Sequence, residues 1–111
     1  MQVIVSARHF EVSDTLRSLI DERFSRLVRF EPRILRVEVT LLEEKNRCEV
    51  EAQLAISRAD SIHAHAEASE FRTAIDRVID KLSRQLKKSR SRRRDHKAVA
   101  REATLELDQS A

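Results

Sequence analysis

Apolar and polar positions change period in a readable order along the chain. Val3 and Val5 alternate with Gln2, Ile4 and Ser6, which predicts a short strand over about residues 2–8. Ser13 and Asp14 then offer an N-cap and a first-turn acid. Behind them Leu16, Leu19, Ile20, Arg23, Phe24, Leu27 and Val28 follow the i, i+3, i+4, i+7 rule, so a helix is predicted over about residues 14–29. Arg23 is the one non-apolar member of that stripe and fits its edge. Pro32, the only proline, disfavours continuation of the helix.

The middle of the chain alternates with period two. Leu35, Val37, Val39 and Leu41 share one face, with Arg36, Glu38 and Thr40 on the other. After Glu44-Lys45-Asn46 the alternation resumes: Cys48, Val50, Ala52, Leu54 and Ile56 face one way, Arg47, Glu49, Glu51 and Gln53 the other. Asn46 is the residue expected to take the left-handed conformation of a tight hairpin. A second turn at Arg58-Ala59-Asp60 leads to Ile62, Ala64, Ala66 and Ala68, with His63, His65 and Glu67 opposite. These are three half-buried strands of an antiparallel meander. Alanine is a weak strand former, but small side chains there let a helix pack close to the sheet.

Ser69 is expected to cap a second helix over residues 70–96, with Phe71, Ala74, Ile75, Val78, Ile79, Leu82 and Leu86 as its apolar stripe. From Lys87 to Lys97 there is no Gly, no Pro and no large apolar residue, so the helix is expected to continue as a basic arm. The predicted fold class is α+β, in the order β-α-β-β-β-α: a four-stranded mixed sheet with two helices on one face. The first crossover would join parallel strands. Residues 1–97 are read as one domain and residues 98–111 as a flexible C-terminal tail.

Charge adds what periodicity cannot. The 111 residues sum to only +3, yet residues 1–80 hold 12 basic and 15 acidic side chains, residues 81–101 hold 10 basic and 1 acidic, and residues 102–111 hold 3 acidic and none basic. This segregation is the functional signal. Phosphate binding needs cations held near a regular array of anions. Lys81, Arg84, Lys87, Lys88, Arg90, Arg92, Arg93 and Arg94 lie on the second predicted helix, and Arg23, Arg26 and Arg29 recur at i, i+3, i+6 on the first. Helices packed side by side would join the two sets into one surface. Arginine suits phosphate because its planar fork donates two hydrogen bonds at once. With no Trp, no Tyr and four Phe, stacking on splayed bases is poorly supplied. The residues therefore favour backbone and shape recognition of folded RNA.

Other classes lose support on composition. A P-loop, a dinucleotide fingerprint or an EF-hand loop needs glycine, and the chain has none. Its single cysteine, Cys48, permits no internal disulfide and no multi-thiolate zinc site. No signal peptide and no membrane-spanning run are expected at the sequence level, and a reducing cytoplasmic setting is the simplest expectation. His63, His65 and Glu67 share a strand face, a spacing that in principle suits a metal or an acid–base pair, but no third convincing ligand accompanies them. They are read as polar sheet residues; no metal, no cofactor, no small-molecule substrate and no enzymatic activity is expected. A basic protein-interaction module stays open as another reading of the arm, whereas membrane docking lacks an apolar face after Leu86.

The run Ile62-His63-Ala64-His65-Ala66-Glu67, then Ala74-Ile75-Asp76, then Ile79-Asp80-Lys81-Leu82-Ser83-Arg84-Gln85-Leu86-Lys87-Lys88 resembles the signature of the bacterial ribosome hibernation-promoting factor family, which includes ribosome-associated inhibitor A. Glu11-Val12-Ser13-Asp14-Thr15-Leu16-Arg17 and Glu44-Lys45-Asn46-Arg47 match as well, and the resemblance covers about residues 2–96. It implies a domain similar to double-stranded-RNA-binding domains that binds the small ribosomal subunit and its rRNA in the mRNA and tRNA channel and stops translation in starvation. Short members act with a ribosome modulation factor to favour ribosome dimers; inhibitor-type members silence single ribosomes, and both forms stay open here. The chain departs from the family pattern at Glu70-Phe71-Arg72, where Arg stands at a position commonly Tyr, and at Arg58-Ala59-Asp60-Ser61, which replaces a glycine-containing turn.

Overall fold

The computed structural model describes the backbone of residues 2–99 and the side chains of residues 2–88. The elements are β1 (Gln2–Arg8), α1 (Asp14–Phe30), β2 (Ile34–Glu44), β3 (Arg47–Ile56), β4 (Ile62–Ala68) and α2 (Phe71–Val99). One mixed sheet runs β1-β2-β3-β4, with β1 parallel to β2 and the other pairs antiparallel. Both helices pack on one sheet face and against each other. The α+β order expected from the sequence is the order observed.

Each strand contributes alternate residues to the core. Val37, Val39 and Leu41 of β2, Val50, Ala52 and Leu54 of β3, and Ala64 and Ala66 of β4 are buried beneath the helices. They meet Ile20, Phe24 and Leu27 of α1 and Ala74, Ile75, Val78, Leu82 and Leu86 of α2. Full burial of one such large side chain contributes roughly 1.5–3 kcal/mol, which makes this layer the main source of stability.

Four local expectations are corrected. Leu35 is 59% exposed instead of sharing the Val37 face, because a bulge between Ile34 and Arg36 inserts one residue and hands the inward position to Ile34. In the two-residue hairpin between Glu44 and Arg47, Lys45 rather than Asn46 is left-handed, at φ 54°. The positive φ thus falls on the first of the two central residues, and a positive φ is what a tight two-residue hairpin needs for its strands to keep their twist. Ser69 does not cap α2: the helix starts at Phe71, and the Glu70 carbonyl accepts the Ala74 N–H at 3.1 Å, which makes Glu70 the cap position. α2 runs to Val99, three residues past the expected end at residue 96. The tail expected from residue 98 lies, from residue 100 onward, outside the described residues.

The topology fixes where the helix ends point. α1 returns against β1 so that β2 can run parallel to it, and α2 returns against β4. The two helices are therefore parallel, and their C-terminal ends share one end of the molecule with the α1–β2 loop and the β3–β4 turn.

Candidate nucleic-acid interface

α1 starts as its sequence dictates: the Ser13 hydroxyl accepts the Leu16 N–H at 3.1 Å. Three turns later Arg23 falls in the seam between the helices. Its guanidinium donates to Asp76 of α2 at 2.7 Å and also pairs with Glu22, leaving the side chain 13% exposed. Arg26 faces solvent and reaches Glu22 at 3.4 Å. Arg29, in the last turn, is exposed and has no carboxylate partner among the described residues, where it also complements the helix dipole. The three arginines of α1 thus differ in what is left for a ligand.

On α2, Lys81 is committed to the fold. Its ammonium donates to the His65 carbonyl at 2.6 Å, between Arg77 donating to the Glu67 carbonyl at 2.8 Å and Gln85 donating to the His63 carbonyl at 2.8 Å. Four helical residues rise about 6 Å and two strand residues about 6.6 Å, so the two periods stay in step over three rungs. The carbonyls belong to β4, an edge strand whose outward groups would otherwise stay unpaired. The buried alanines Ala64 and Ala66 let the helix lie close enough for this ladder.

Beyond the ladder the cations are freer. Arg84 makes a 2.8 Å pair with Asp80, but the two side chains are 77% and 59% exposed. Exposed i, i+4 pairs contribute only about 0.3–0.5 kcal/mol, so a phosphate can displace the carboxylate with little loss. Lys87 and Lys88 are exposed and have no carboxylate partner among the described residues. Arg90, Arg92, Arg93 and Arg94 fall on the α2 backbone, and their side chains lie outside the described ones. From Leu86 to Val99 the helix rises roughly 20 Å.

The sheet face away from the helices has the opposite character. Arg8, Arg36 and Arg47 share it with Glu38, Glu44, Glu49, Glu51 and Glu67. Arg36 pairs with Glu38 at 3.7 Å, Arg47 with Glu67 at 3.3 Å, and His65 reaches Glu49 at 3.2 Å. A shallow depression lined by Arg8, Thr40, Leu42, Glu49, Glu51 and His65 lies at its centre. His63, His65 and Glu67 do stand together there, but among the described residues no group of three or more His, Cys, Asp and Glu side chains is placed to hold a metal ion. Cys48 is buried, its thiol against the Ser69 carbonyl at 3.7 Å. Burial first, then the nearby Glu43 and Glu70 carboxylates, push its pKa up, so it stays a neutral core thiol. No helix among the described residues is long and apolar enough to cross a membrane.

Two structural features escaped the sequence reading. The first is the Arg77–Lys81–Gln85 ladder; its i, i+4, i+8 spacing is visible in the sequence, but its meaning depends on which strand forms the edge. The second is Glu31, which is 4% exposed and takes both guanidinium hydrogen bonds of Arg33, at 3.0 and 3.2 Å. A buried carboxylate needs such a partner, and the pair fixes the α1–β2 loop.

Comparison with known proteins agrees with this architecture. The family model described as sigma 54 modulation protein / S30EA ribosomal protein matches residues 3–94. The ribosome hibernation promoting factor of Azotobacter vinelandii is 40% identical over 92 residues, 83% of this chain and 85% of that protein. Its counterpart in Escherichia coli (strain K12) is 34% identical over 96 residues, 86% of this chain and 100% of that protein. Among solved structures, the Thermus thermophilus Protein Y N-terminal domain superposes with a TM-score of 0.73 at 25% identity, covering 79% of this chain and 98% of its own. A ribosomal subunit interface protein from Coxiella burnetii gives 0.76 at 22% identity, covering 82% and 99%, which speaks for the fold alone. With its sheet, its helix pair and most of its length accounted for in this way, the chain belongs to the sigma 54 modulation protein / S30EA ribosomal protein family.

Proposed function

We propose that this protein is a cytoplasmic ribosome hibernation factor that binds the small ribosomal subunit through its rRNA, in the mRNA and tRNA channel, and holds translation inactive. The observation that carries the reading is the convergence of exposed, unpaired or weakly paired cations at one end: Arg29 from α1 and Arg84, Lys87 and Lys88 from α2. A polyanion gains from exactly such side chains because its condensed counterions are released on contact, and nothing of the fold must be broken to free them. The curated relatives named ribosome hibernation promoting factor support the same partner. No step of bond making is part of the proposal; the protein acts by occupying space. Lys81 and Arg23 serve the interface indirectly in this reading, by fixing the helices that carry the other cations.

The test is sedimentation of the purified protein with purified small subunits. The double reversal Arg84→Glu with Lys88→Glu is expected to leave the circular-dichroism spectrum and melting temperature close to wild type and to abolish co-sedimentation at physiological salt. Wild-type binding by that variant would remove α2 as the docking surface. A sucrose-gradient profile of whole ribosomes then separates the two forms of the activity: a dimer peak that appears with a ribosome modulation factor marks a dimer-promoting member, and single ribosomes alone mark an inhibitor-type member.

A further inference from the structure

The β3–β4 turn carries a cation in a place that local backbone chemistry does not favour. Arg58 is left-handed, at φ 57°, where crowding between Cβ and the carbonyl penalises every residue but glycine. Asn or Asp would lessen the cost by bonding locally; an arginine side chain offers no such compensation. Arg58 is exposed, and among the described residues its guanidinium has neither a hydrogen bond nor an ion pair, although Asp60 is two residues away. The turn itself is held firmly. The Ser57 N–H donates to the Arg33 carbonyl at 2.9 Å and the Ala59 N–H to the Ile56 carbonyl at 3.3 Å. Arg33 in turn is locked by buried Glu31.

Position separates Arg58 from the other two left-handed residues. His9 and Lys45 sit at the opposite end of the sheet, beside the helix N-termini. Arg58 sits at the end where the cations of α1 and α2 converge. Gln85 is level with His63, and β4 starts one residue earlier at Ile62. Three further helical residues rise about 4.5 Å, which brings Lys87 and Lys88 level with the β3–β4 turn. Arg29 closes the same end from α1.

We propose that Arg58 is a phosphate-contacting residue, and that with Arg29, Lys87 and Lys88 it forms a basic rim around the base of the α2 arm that takes the phosphate backbone of folded RNA. This rests on the ribosome-binding reading and adds to it a contact from the sheet rather than from a helix. The occupant is RNA backbone because the rim supplies cations from three separate elements, while Phe30, the aromatic beside Arg29, is part-buried against the core rather than presented for stacking on bases.

The test uses the full chain, purified small subunits and a series of potassium chloride concentrations. Arg58→Gly removes the charge and relieves the backbone, so its melting temperature is expected to equal or exceed that of wild type. Its binding is expected to weaken, and the slope of log K against log salt to become shallower by about 0.7–0.9, the value for one lost phosphate contact. Arg58→Lys is expected to keep the wild-type slope. An Arg58→Gly protein with wild-type affinity and slope overturns the inference while leaving the ribosome-binding reading intact. Failure of the wild-type protein itself to bind subunits overturns that reading, and the inference with it. Arg58→Gln, which keeps the side-chain length and the Cβ, is expected to behave as Arg58→Gly in both affinity and slope; if it binds as wild type, charge at this position is not what the RNA contacts.

Discussion

His9, Lys45 and Arg58 carry the left-handed backbone that a chain without glycine must place on other residues. Each costs about 1–2 kcal/mol, and the structure tolerates all three because the flanking elements fix the turns: two strands at Lys45 and at Arg58, and β1 and α1 at His9. At Lys45 the twist of a tight hairpin explains the conformation; at Arg58 the proposed phosphate contact would give the cost a function. Composition reveals that some non-glycine residues must adopt positive φ, but not which. Asn46 has the better intrinsic tolerance, yet it is Lys45, the first of the two central hairpin residues, that takes the positive φ.

The single thiol gives the residue scale a pH signature. The native pKa of Cys48 is raised by burial, with Glu43 and Glu70 adding to it. The folded protein therefore holds this proton more tightly than the unfolded chain does. Its contribution to stability is complete below the ordinary thiol value of 9.0 and is lost as pH rises through the raised native value. Urea melts between pH 7 and pH 10.5 are expected to show a loss of stability at the alkaline end that Cys48→Ala flattens, apart from a constant offset for the lost packing. An identical alkaline slope in the two proteins would show that the thiol is not the group responsible. Alkylation is likewise expected to be far slower in the native than in the unfolded chain at pH 8.

Among the elements, α2 does two jobs along one length. Its first half covers the core with Ala74, Ile75, Val78, Leu82 and Leu86 and closes the β4 edge with Arg77, Lys81 and Gln85. Only after Leu86 is it free to be a basic arm. The sequence showed where the apolar stripe ends, and from that the arm was legible. It could not show that Lys81 belongs to the first half, because the carbonyl it meets is 16 residues away on a strand whose edge position is a property of the sheet. Lys81→Ala is expected to lower stability by about 1–2 kcal/mol, since a hydrogen bond from a charged donor is lost and an edge carbonyl is released. Replacing Arg77, Lys81 and Gln85 together by Ala is expected to lower it by about 2–4 kcal/mol and to raise the concentration-dependent self-association seen by light scattering, as an uncovered edge strand invites pairing. If denaturant melts of Lys81→Ala match wild type while subunit binding falls, the residue belongs to the ligand and not to the ladder.

The molecule as a whole is electrically two-sided. One end gathers Arg29, Arg58, Lys87 and Lys88, while the open sheet face holds five glutamates against three arginines, two of them already paired. A small net charge of +3 conceals this arrangement. Against a polyanion the acidic face is repelled and the basic end attracted, so the field selects one orientation before any contact forms. Glu51→Gln on the open face is expected to leave binding to small subunits unchanged or slightly tighter and to move the melting temperature by no more than about 2–4 °C, because surface changes of this kind stay within about ±0.5 kcal/mol. Weakened binding by this variant would mean that the sheet face, not the helix end, meets the ribosome.

The element order, the buried face of nearly every strand and helix, and the charge gradient were set by the sequence alone, because periodicity and composition are local properties that no tertiary contact can rewrite. Leu35 marks the limit of that rule: one inserted residue at the bulge turned an apolar side chain outward. Which cations remain for a ligand was decided only by the tertiary structure. Arg23 and Arg29 lie six residues apart on one helix, yet the first is closed into the seam by Asp76, 53 positions away, and the second is left at the open end. Lys81 and Lys88 differ in the same way, since the carbonyls that hold a lysine are supplied by a strand and a strand ends where the sheet ends.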